Sequence, residues 1–221
     1  MKPSHSAADF IVRDCNRRAW ESIQRDGCWP QNRLLLIGPA GSGKSHLTGI
    51  WARRNRATIA EYGALSKLSA VQLIAQGQVA VENVFGGSDP HCERTLFSLI
   101  ELSASMNRQL MISSSLDPRR CKIALPDLRS RIDGTHFVRL DSPDSEFLAA
   151  LLVKLFADRQ LSVARGTIHY IVARMERSHF AAGDLVDRLD RMSLARGKPV
   201  SKSMARDGLT MQGREMKEEV S

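Results

Sequence analysis

Short apolar runs recur along the first 140 residues, and polar or turn-forming residues bound each of them. The run Arg33-Leu34-Leu35-Leu36-Ile37 is too short for a helix, so it predicts a strand buried on both faces of a sheet. Four further runs follow, with intervals that suit a helix between them: Ala57 to Ala60, Val79 to Val81, Leu110 to Ile112 and Phe137 to Leu140. Strands that alternate with helices predict an α/β fold with a parallel sheet covered by helices.

The pattern becomes purely helical after Leu140. Ser142 as N-cap and Pro143 in the first turn predict the start of a helix with one apolar side. Two more helical patterns follow, over 168–175 and 181–194, and no strand signal of comparable strength is present there. We therefore predict three parts: an α/β domain over 1–140, a small all-helical lid domain over 141–200, and a short helix or flexible tail over 201–221.

Composition and charge narrow the class of protein. Hydrophobic residues make up 43% and charged residues 25%, which is typical of a globular protein. No apolar run approaches the roughly 18 residues of a membrane span, and Met1 to Asp9 lacks a secretory signal, so we expect a cytoplasmic protein without a membrane partner. The net charge of +8 permits a polyanionic partner. We interpret the densest basic run, Arg53 to Arg56, as a solvated helix face rather than a nucleic-acid patch.

The first strand runs directly into Gly38-Pro39-Ala40-Gly41-Ser42-Gly43-Lys44-Ser45, which satisfies the pattern G-x-x-x-x-G-K-[ST]. In this pattern backbone N–H groups surround phosphates, the lysine reaches the outer phosphate oxygens and the hydroxyl ligates Mg²⁺. A helix that begins at the loop adds the positive end of its dipole. We therefore predict a nucleotide site with Lys44 at the phosphates and Ser45 at Mg²⁺. His46 lies beside the loop, where we interpret it as a capping or packing residue rather than a base.

Hydrolysis requires more than the loop. An ATPase also needs an acidic residue at the end of a neighbouring strand for the Mg²⁺ shell, and commonly a second one to polarise the attacking water. The strand over 79–81 is followed by Glu82, which we assign to the metal, and by Asn83, which cannot accept a proton. The sequence thus predicts binding of ADP or ATP with Mg²⁺ and weak or no intrinsic ATPase activity.

Two further segments leave alternatives open. Ser113-Ser114-Ser115 follows the fourth strand, where a hydroxyl can sense a γ-phosphate or simply begin a solvated loop. Arg129 and Arg131 precede the last strand. Either arginine could pair with Asp127 or Asp133, or it could be an arginine finger that is presented to the nucleotide of a neighbouring subunit.

Several motifs together resemble the AAA+ module of the replication initiator DnaA, and more closely the short DnaA-related regulators called Hda. The motifs are Asp9-Phe10-Ile11-Val12 with Asn16, GPAGSGKSHL over 38–47, VEN over 81–83, LPDLRSRI over 125–132, and a three-helix lid. The stretches over 152–161 and 185–191 are similar to the alphaproteobacterial branch of these regulators. The resemblance covers residues 8–196.

The resemblance implies a function and its residues. Hda-type proteins bind ADP, associate with the DNA-loaded sliding clamp and present an arginine finger to ATP-bound DnaA, which promotes ATP hydrolysis and prevents renewed initiation. By position, Arg131 would be the finger, with Arg129 as second candidate, and Phe10 to Val12 would lie against the adenine. About 20 residues follow the lid, too few for the helix-turn-helix domain of DnaA, so sequence-specific DNA binding by this chain alone is not expected. A homo-oligomer is compatible with this reading.

The sequence departs from the Hda pattern at two places beyond Asn83. Met1 to Asp9 contains no glutamine-and-leucine clamp-binding motif, and Gly183 occupies the position of a nucleotide-sensing lid arginine. The missing arginine favours an ADP-bound or nucleotide-indifferent state, and the missing motif implies that clamp binding would need another surface. The alternatives are a helicase loader or DNA-associated AAA+ ATPase, and a degenerate, non-hydrolysing interaction module.

Overall fold

The computed structural model describes residues 10–25, 29–86 and 89–218, and the chain divides into two compact units between Asp141 and Ser142. The helices and strands of the first unit are α1 (Arg17–Gln24), β1 (Arg33–Ile37), α2 (Lys44–Asn55), β2 (Thr58–Glu61), α3 (Ala70–Ala75), β3 (Val79–Glu82), α4 (Pro90–Ser105), β4 (Leu110–Ser114), α5 (Pro126–Asp133) and β5 (Phe137–Arg139). Those of the second unit are α6 (Ser145–Asp158), α7 (Arg165–Val172), α8 (His179–Arg196) and α9 (Lys202–Glu218).

The first unit is built on a parallel sheet with the strand order β2-β3-β4-β1-β5. β1 is a central strand that pairs with β4 on one side and β5 on the other, with Leu35 opposite Ile112 and Phe137. Because all strands run in the same direction, their carboxyl ends meet at one edge of the sheet. The loop after β1, Glu82 of β3 and Ser114 of β4 therefore share that edge. The predicted α/β fold class is confirmed.

Helices cover both faces of this sheet, which explains why β1 is a continuous apolar run. Leu34 and Leu36 pack in one core with α1 and α2, whereas Leu35 and Ile37 pack in the other with α3, α4 and α5. Successive side chains of a strand point to opposite faces, so a strand between two helical layers needs apolar residues at every position. The loop that follows β1 is thereby held between rigid layers.

The second unit consists of helices in the part of the chain that the structure describes. α6 packs on α7 and α8, and α9 packs on both α7 and α8. A Cβ atom at Gly208 of α9 would lie 3.1 Å from Leu189 and 3.3 Å from Leu185, so these helices approach closely at the glycine. α9 thus belongs to the second unit and is longer than the short final helix expected from the sequence. No helix in the described ranges is long and apolar enough to cross a membrane.

The first helix of this unit begins two residues later than predicted. Asp144, rather than Ser142, is the N-cap of α6, and its Oδ1 accepts a hydrogen bond from the backbone N–H of Phe147 at 2.6 Å. A carboxylate at this position satisfies one of the unpaired N–H groups of the first turn and also interacts favourably with the positive end of the helix dipole. The prediction of Ser142 as the cap was wrong because this stronger acceptor follows it.

We expect Asp144→Ala to lower the free energy of unfolding by about 1 kcal/mol, because the first turn of α6 loses its side-chain acceptor. The matched control, Ser142→Ala, should stay within about 0.5 kcal/mol of the wild type. Urea denaturation followed by circular dichroism measures both values. Equal destabilisation by the two substitutions would show that Asp144 is not the cap.

Candidate nucleotide-binding site

The loop between β1 and α2 has a backbone that two glycines make accessible. Gly43, the N-cap of α2, has a φ of 99°, in the left-handed region that favours glycine. A Cβ atom at Gly38 would lie 2.7 Å from the carbonyl oxygen of Leu140, a contact that the backbone would have to move to relieve. The loop therefore keeps the tight, glycine-dependent form that a phosphate-binding loop requires.

Lys44 is the first residue of α2, and its side chain is folded back onto the loop. Its Nζ donates hydrogen bonds to the carbonyl oxygens of Gly38 at 2.7 Å and Pro39 at 2.9 Å. An ammonium group has three N–H donors, so one donor beyond these two bonds can serve a phosphate oxygen. Burial lowers the pKa of Lys44, and the negative charge of Glu82 raises it in opposition. The lysine is thus anchored by the loop and faces a carboxylate.

The two residues predicted at Mg²⁺ lie on the two elements that meet here. Glu82 is buried at the carboxyl end of β3, on the sheet face that packs against α2, whereas Ser45 is exposed on the first turn of α2. A carboxylate and a hydroxyl are oxygen ligands of the kind Mg²⁺ prefers, with phosphates and water completing its shell. Within the described ranges, no group of three or more His, Cys, Asp or Glu residues could hold a metal ion. The residues present fit a nucleotide-bound Mg²⁺ rather than a metal held by protein alone.

Aromatic side chains pack together beside the start of α2. The ring of Phe10 stacks on Trp20 of α1, with centroids 5.0 Å apart, and meets His46 edge-on at 5.3 Å. Val12 is half-buried in the same segment. The segment is fixed by Asn16, whose side chain accepts from the backbone N–H of Arg13 and donates to the carbonyl of Ile11, both at 2.9 Å. Phe10 therefore lies next to the loop, where an adenine contact is predicted.

The three serines after the fourth strand have different environments. The Ser114 hydroxyl lies 2.8 Å from the carbonyl oxygen of Val84 and accepts from the backbone N–H of Leu116 at 3.1 Å, which ties two loops together. The buried Ser113 hydroxyl has no hydrogen-bond partner among the described residues, while Ser115 is exposed. By strand alternation Ser113 faces the α2 side, as Met111 does. Of the three, Ser113 has the buried hydroxyl without an internal partner, so the predicted phosphate sensor is tested at this residue.

Two more buried hydroxyls lie along the loop and its helix. Ser42 in the loop and Thr48, one turn after Lys44, also have no partner for their side-chain oxygens within the described part of the chain. Leaving a buried polar group unpaired costs about 1–3 kcal/mol, so such groups are rare in finished structures. Ser42 lies in the loop itself, so its hydroxyl is available to a polar ligand that binds there.

A carboxylate that the sequence did not point to lies beside Asn83. The Asn83 side-chain amide donates to Glu61 Oε2 at 2.9 Å, and Glu61 ends β2 directly opposite Glu82 of β3. The sequence shows that β2 and β3 both end in glutamate. That observation predicts a pair of carboxylates only when β2 and β3 are known to be neighbours in the sheet. At the position where the sequence lacks a second acid, the Asn83 amide is thus held by a carboxylate of the adjacent strand.

The two candidate arginines differ sharply. Arg129 donates to the carbonyl oxygens of Pro118 at 2.7 Å and of Cys121, so its guanidinium holds a turn of the chain. Arg131 is half exposed and pairs with Glu101 of α4, with Nε and Oε1 2.7 Å apart. The proposed partners Asp127 and Asp133 are therefore wrong for Arg131.

Arg131 lies at the opposite end of the sheet from the loop. α5 ends at Asp133, three residues separate it from β5, and Phe137 at the start of β5 pairs with Leu35 in the first half of β1. In agreement, the positive charge of Arg131 adds to the lowering of the Arg33 pKa by burial, and Glu101 raises it. Arg33 is the first residue of β1, and the loop begins after its last residue. Five residues of strand span roughly 16 Å at about 3.3 Å each. The side chain of Arg131 is therefore remote from the loop of its own chain.

We expect Ser113→Ala to leave the free energy of unfolding within about 0.5 kcal/mol of the wild type while weakening ATP binding, because it deletes a hydroxyl that lacks an internal partner. Ser114→Ala is the contrasting variant. It should lower the free energy of unfolding by about 1–3 kcal/mol, since the buried carbonyl of Val84 and the part-buried N–H of Leu116 lose their partner. Urea denaturation and titration calorimetry with ATP test the pair. If Ser113→Ala destabilised the protein as much as Ser114→Ala, the Ser113 hydroxyl would have an internal partner and would not be available to a ligand.

The sequence of the chain is similar to those of two known proteins. No protein-family model matches the chain. The chain is 25% identical over 211 residues to an uncharacterised protein of Haemophilus influenzae, covering 87% of this chain and 90% of that protein. It is 21% identical over 230 residues to the chromosomal replication initiator protein DnaA of Corynebacterium aurimucosum, covering 93% of this chain. The match spans only 42% of that DnaA.

Solved structures agree on the same architecture. Domain III of the Thermotoga maritima replication initiation protein DnaA superposes with a TM-score of 0.78 at 16% identity, covering 95% of this chain and 97% of that one. AMPPCP-bound DnaA from Aquifex aeolicus gives 0.72 at 15% identity, covering 98% and 71%. A RuvB variant from Thermotoga maritima gives 0.72 at 15% identity, covering 94% and 72%. The resemblance to DnaA is thus confirmed at the level of the fold, and the chain has the α/β architecture of the AAA+ domains of DnaA and RuvB.

Proposed function

We propose that this chain is an Hda-type, DnaA-related AAA+ regulator of chromosome replication initiation. It binds an adenine nucleotide, ADP in its working state, with Mg²⁺, and it promotes the hydrolysis of DnaA-bound ATP through Arg131. The observation that carries the proposal is the separation of the glycine loop from Arg131 along β1. A cation that is remote from its own phosphates is suited to act on the nucleotide of another molecule.

The loop supports nucleotide binding. Lys44 is held by two loop carbonyls, and the hydroxyls of Ser42 and Ser113 are buried without partners in the described ranges. The DnaA of Aquifex aeolicus, which has the same fold, was solved with AMPPCP bound. Weak intrinsic turnover is supported by Asn83, whose amide occupies the second acid position and engages the carboxylate of Glu61.

Arg131 is favoured over Arg129 as the finger because their guanidinium groups have different freedom. Arg129 is committed to two backbone carbonyls, and moving it would release the turn that contains Pro118 and Cys121. The Arg131 side chain is 49% exposed, and its partner is another side chain rather than the backbone. An exposed ion pair of this kind contributes little to stability, so the arginine can serve a phosphate as well.

Partners follow from the same proposal. DnaA is the target, and the DNA-loaded sliding clamp is a second partner on the strength of the Hda resemblance. The clamp motif was sought in Met1 to Asp9, which lies outside the described residues. Sequence-specific DNA binding is not part of the proposal, and oligomers of this chain are compatible with an arginine that acts between molecules.

A DNA-associated ATPase is the second candidate, motivated by the basic run Arg53 to Arg56. These arginines are exposed at the end of α2, and Arg54 donates to the side chain of Gln24 at the end of α1. One cation of the run therefore contributes to joining the two helices. Tight binding to random DNA with a steep salt dependence would favour this second candidate.

We expect the wild-type chain to accelerate hydrolysis of radiolabelled ATP bound to DnaA, and Arg131→Ala to reduce this acceleration by about 10³-fold or more. Arg139→Ala is the matched control, because Arg139 is also a half-exposed arginine of the first unit in an ion pair, with Asp117. It should retain the wild-type acceleration. The assay is run with and without DNA-loaded clamp. Equal acceleration by Arg131→Ala and wild type would refute the finger, and no acceleration in any condition would refute the function.

A further inference from the structure

We infer that two carboxylates of α4, Glu93 and Glu101, are positioning residues for Arg131. Glu93 fixes the start of α5, the helix that carries the arginine, and Glu101 fixes the orientation of its guanidinium group. The inference rests on the proposed function of Arg131. The two carboxylates are eight residues apart on one helix and contact opposite ends of α5.

Glu93 acts on the backbone at the start of α5. Its side chain is 3% exposed, and its two oxygens accept from the backbone N–H groups of Ala124 at 3.1 Å and Leu125 at 2.8 Å. Leu125 is the N-cap of α5 and Ala124 precedes it, so the carboxylate lies at the amino end of the helix, where a negative charge interacts favourably with the helix dipole. A buried carboxylate is shielded from salt and water. Glu93 therefore ties the start of α5 to α4 by two charge-assisted hydrogen bonds.

Glu101 acts on the guanidinium itself. Its Oε1 lies 2.7 Å from Nε of Arg131, and its Oε2 accepts from Nη2 at 3.2 Å. This contact uses the side of the guanidinium formed by Nε and one proton of Nη2. A guanidinium has five N–H donors, so three remain, two on Nη1 and one on Nη2. The terminal edge can therefore take two phosphate oxygens while the carboxylate stays bound.

The side-on geometry decides between two roles for Glu101. A carboxylate on the terminal edge would compete with a phosphate and act as a latch that has to open. A carboxylate on the Nε side leaves that edge available and holds the plane of the guanidinium in one direction. Both oxygens of Glu101 bind on the Nε side, so the carboxylate does not have to move when a phosphate approaches the terminal edge of Arg131.

Glu101→Gln in the full-length chain tests the orienting role. The side chain of Glu101 is 44% exposed, so the substitution is not expected to disturb folding. Hydrolysis of DnaA-bound ATP is measured in single turnover over a range of concentrations of this chain. We expect the maximal rate to fall about 10-fold, because a misaligned cation stabilises the transition state poorly, with half-maximal stimulation at an unchanged concentration.

The matched control is Asp158→Asn, which removes an exposed carboxylate from an ion pair with Lys154 on α6. It should leave the maximal rate unchanged. An unchanged or raised maximal rate in Glu101→Gln would overturn the orienting role, and a raised rate would identify a latch instead. A change only in the half-maximal concentration would also overturn it, because that result describes a docking contact.

Glu93→Gln tests the anchor with a second readout. We expect a lower maximal rate together with faster amide hydrogen exchange at Ala124 and Leu125, while binding of a fluorescent ADP analogue stays at the wild-type level. Unchanged exchange at these two amides would overturn the anchoring role. The wild-type chain and Arg131→Ala show whether the proposed function holds. If it holds and both glutamate variants keep the full rate, only the positioning role of Glu93 and Glu101 is refuted. If the wild-type chain itself has no effect on DnaA-bound ATP, the proposed function fails as well.

Discussion

The four apolar residues of β1, Leu34 to Ile37, pack against helices on both faces of the sheet, so the chemistry of this strand is confined to its two ends. Its carboxyl end enters the glycine loop, whose shape depends on Gly38 and on the two hydrogen bonds from Lys44. Its amino end adjoins Arg131 through the charges of Arg33 and Glu101. The length of one buried strand thus separates the glycine loop from Arg131. The proposed action of Arg131 on another molecule depends on that separation.

α4 runs between the two edges of the sheet, from the carboxyl end of β3 to the amino end of β4. It begins after the loop that contains Asn83, it carries Glu93 and Glu101, and it packs in the same core as α5. Its two carboxylates have different environments for physical reasons: the buried one binds backbone N–H groups, whereas the exposed one binds a side chain. α4 thus contacts both the start of α5 and the guanidinium that α5 carries.

Local patterns made much of this predictable from the sequence. The apolar run of β1, the glycine spacing and the helix after it depend on neighbours in the chain, so the loop, Lys44 and the α/β fold class followed directly. Contacts between distant segments did not follow. Glu61 lies beside Asn83 only because β2 pairs with β3. Glu101 could not be predicted as the partner of Arg131, because nothing in the sequence indicates that α4 packs against it. The predicted cap of α6 was wrong because Ser142 and Asp144, two residues apart, are both good N-cap residues. The structure has Asp144 at the N-cap.

The central claim is that Arg131 acts on a nucleotide held by another molecule and not on the one in its own loop. The most direct test loads γ-labelled ATP onto this chain alone, at a concentration where it is monomeric, and separately onto DnaA, and follows a single turnover in each case with wild type and Arg131→Ala. The account predicts that the substitution removes the hydrolysis of DnaA-bound ATP and leaves the slow decay of ATP in the chain's own loop unchanged. A loss of turnover in the chain's own loop would contradict it.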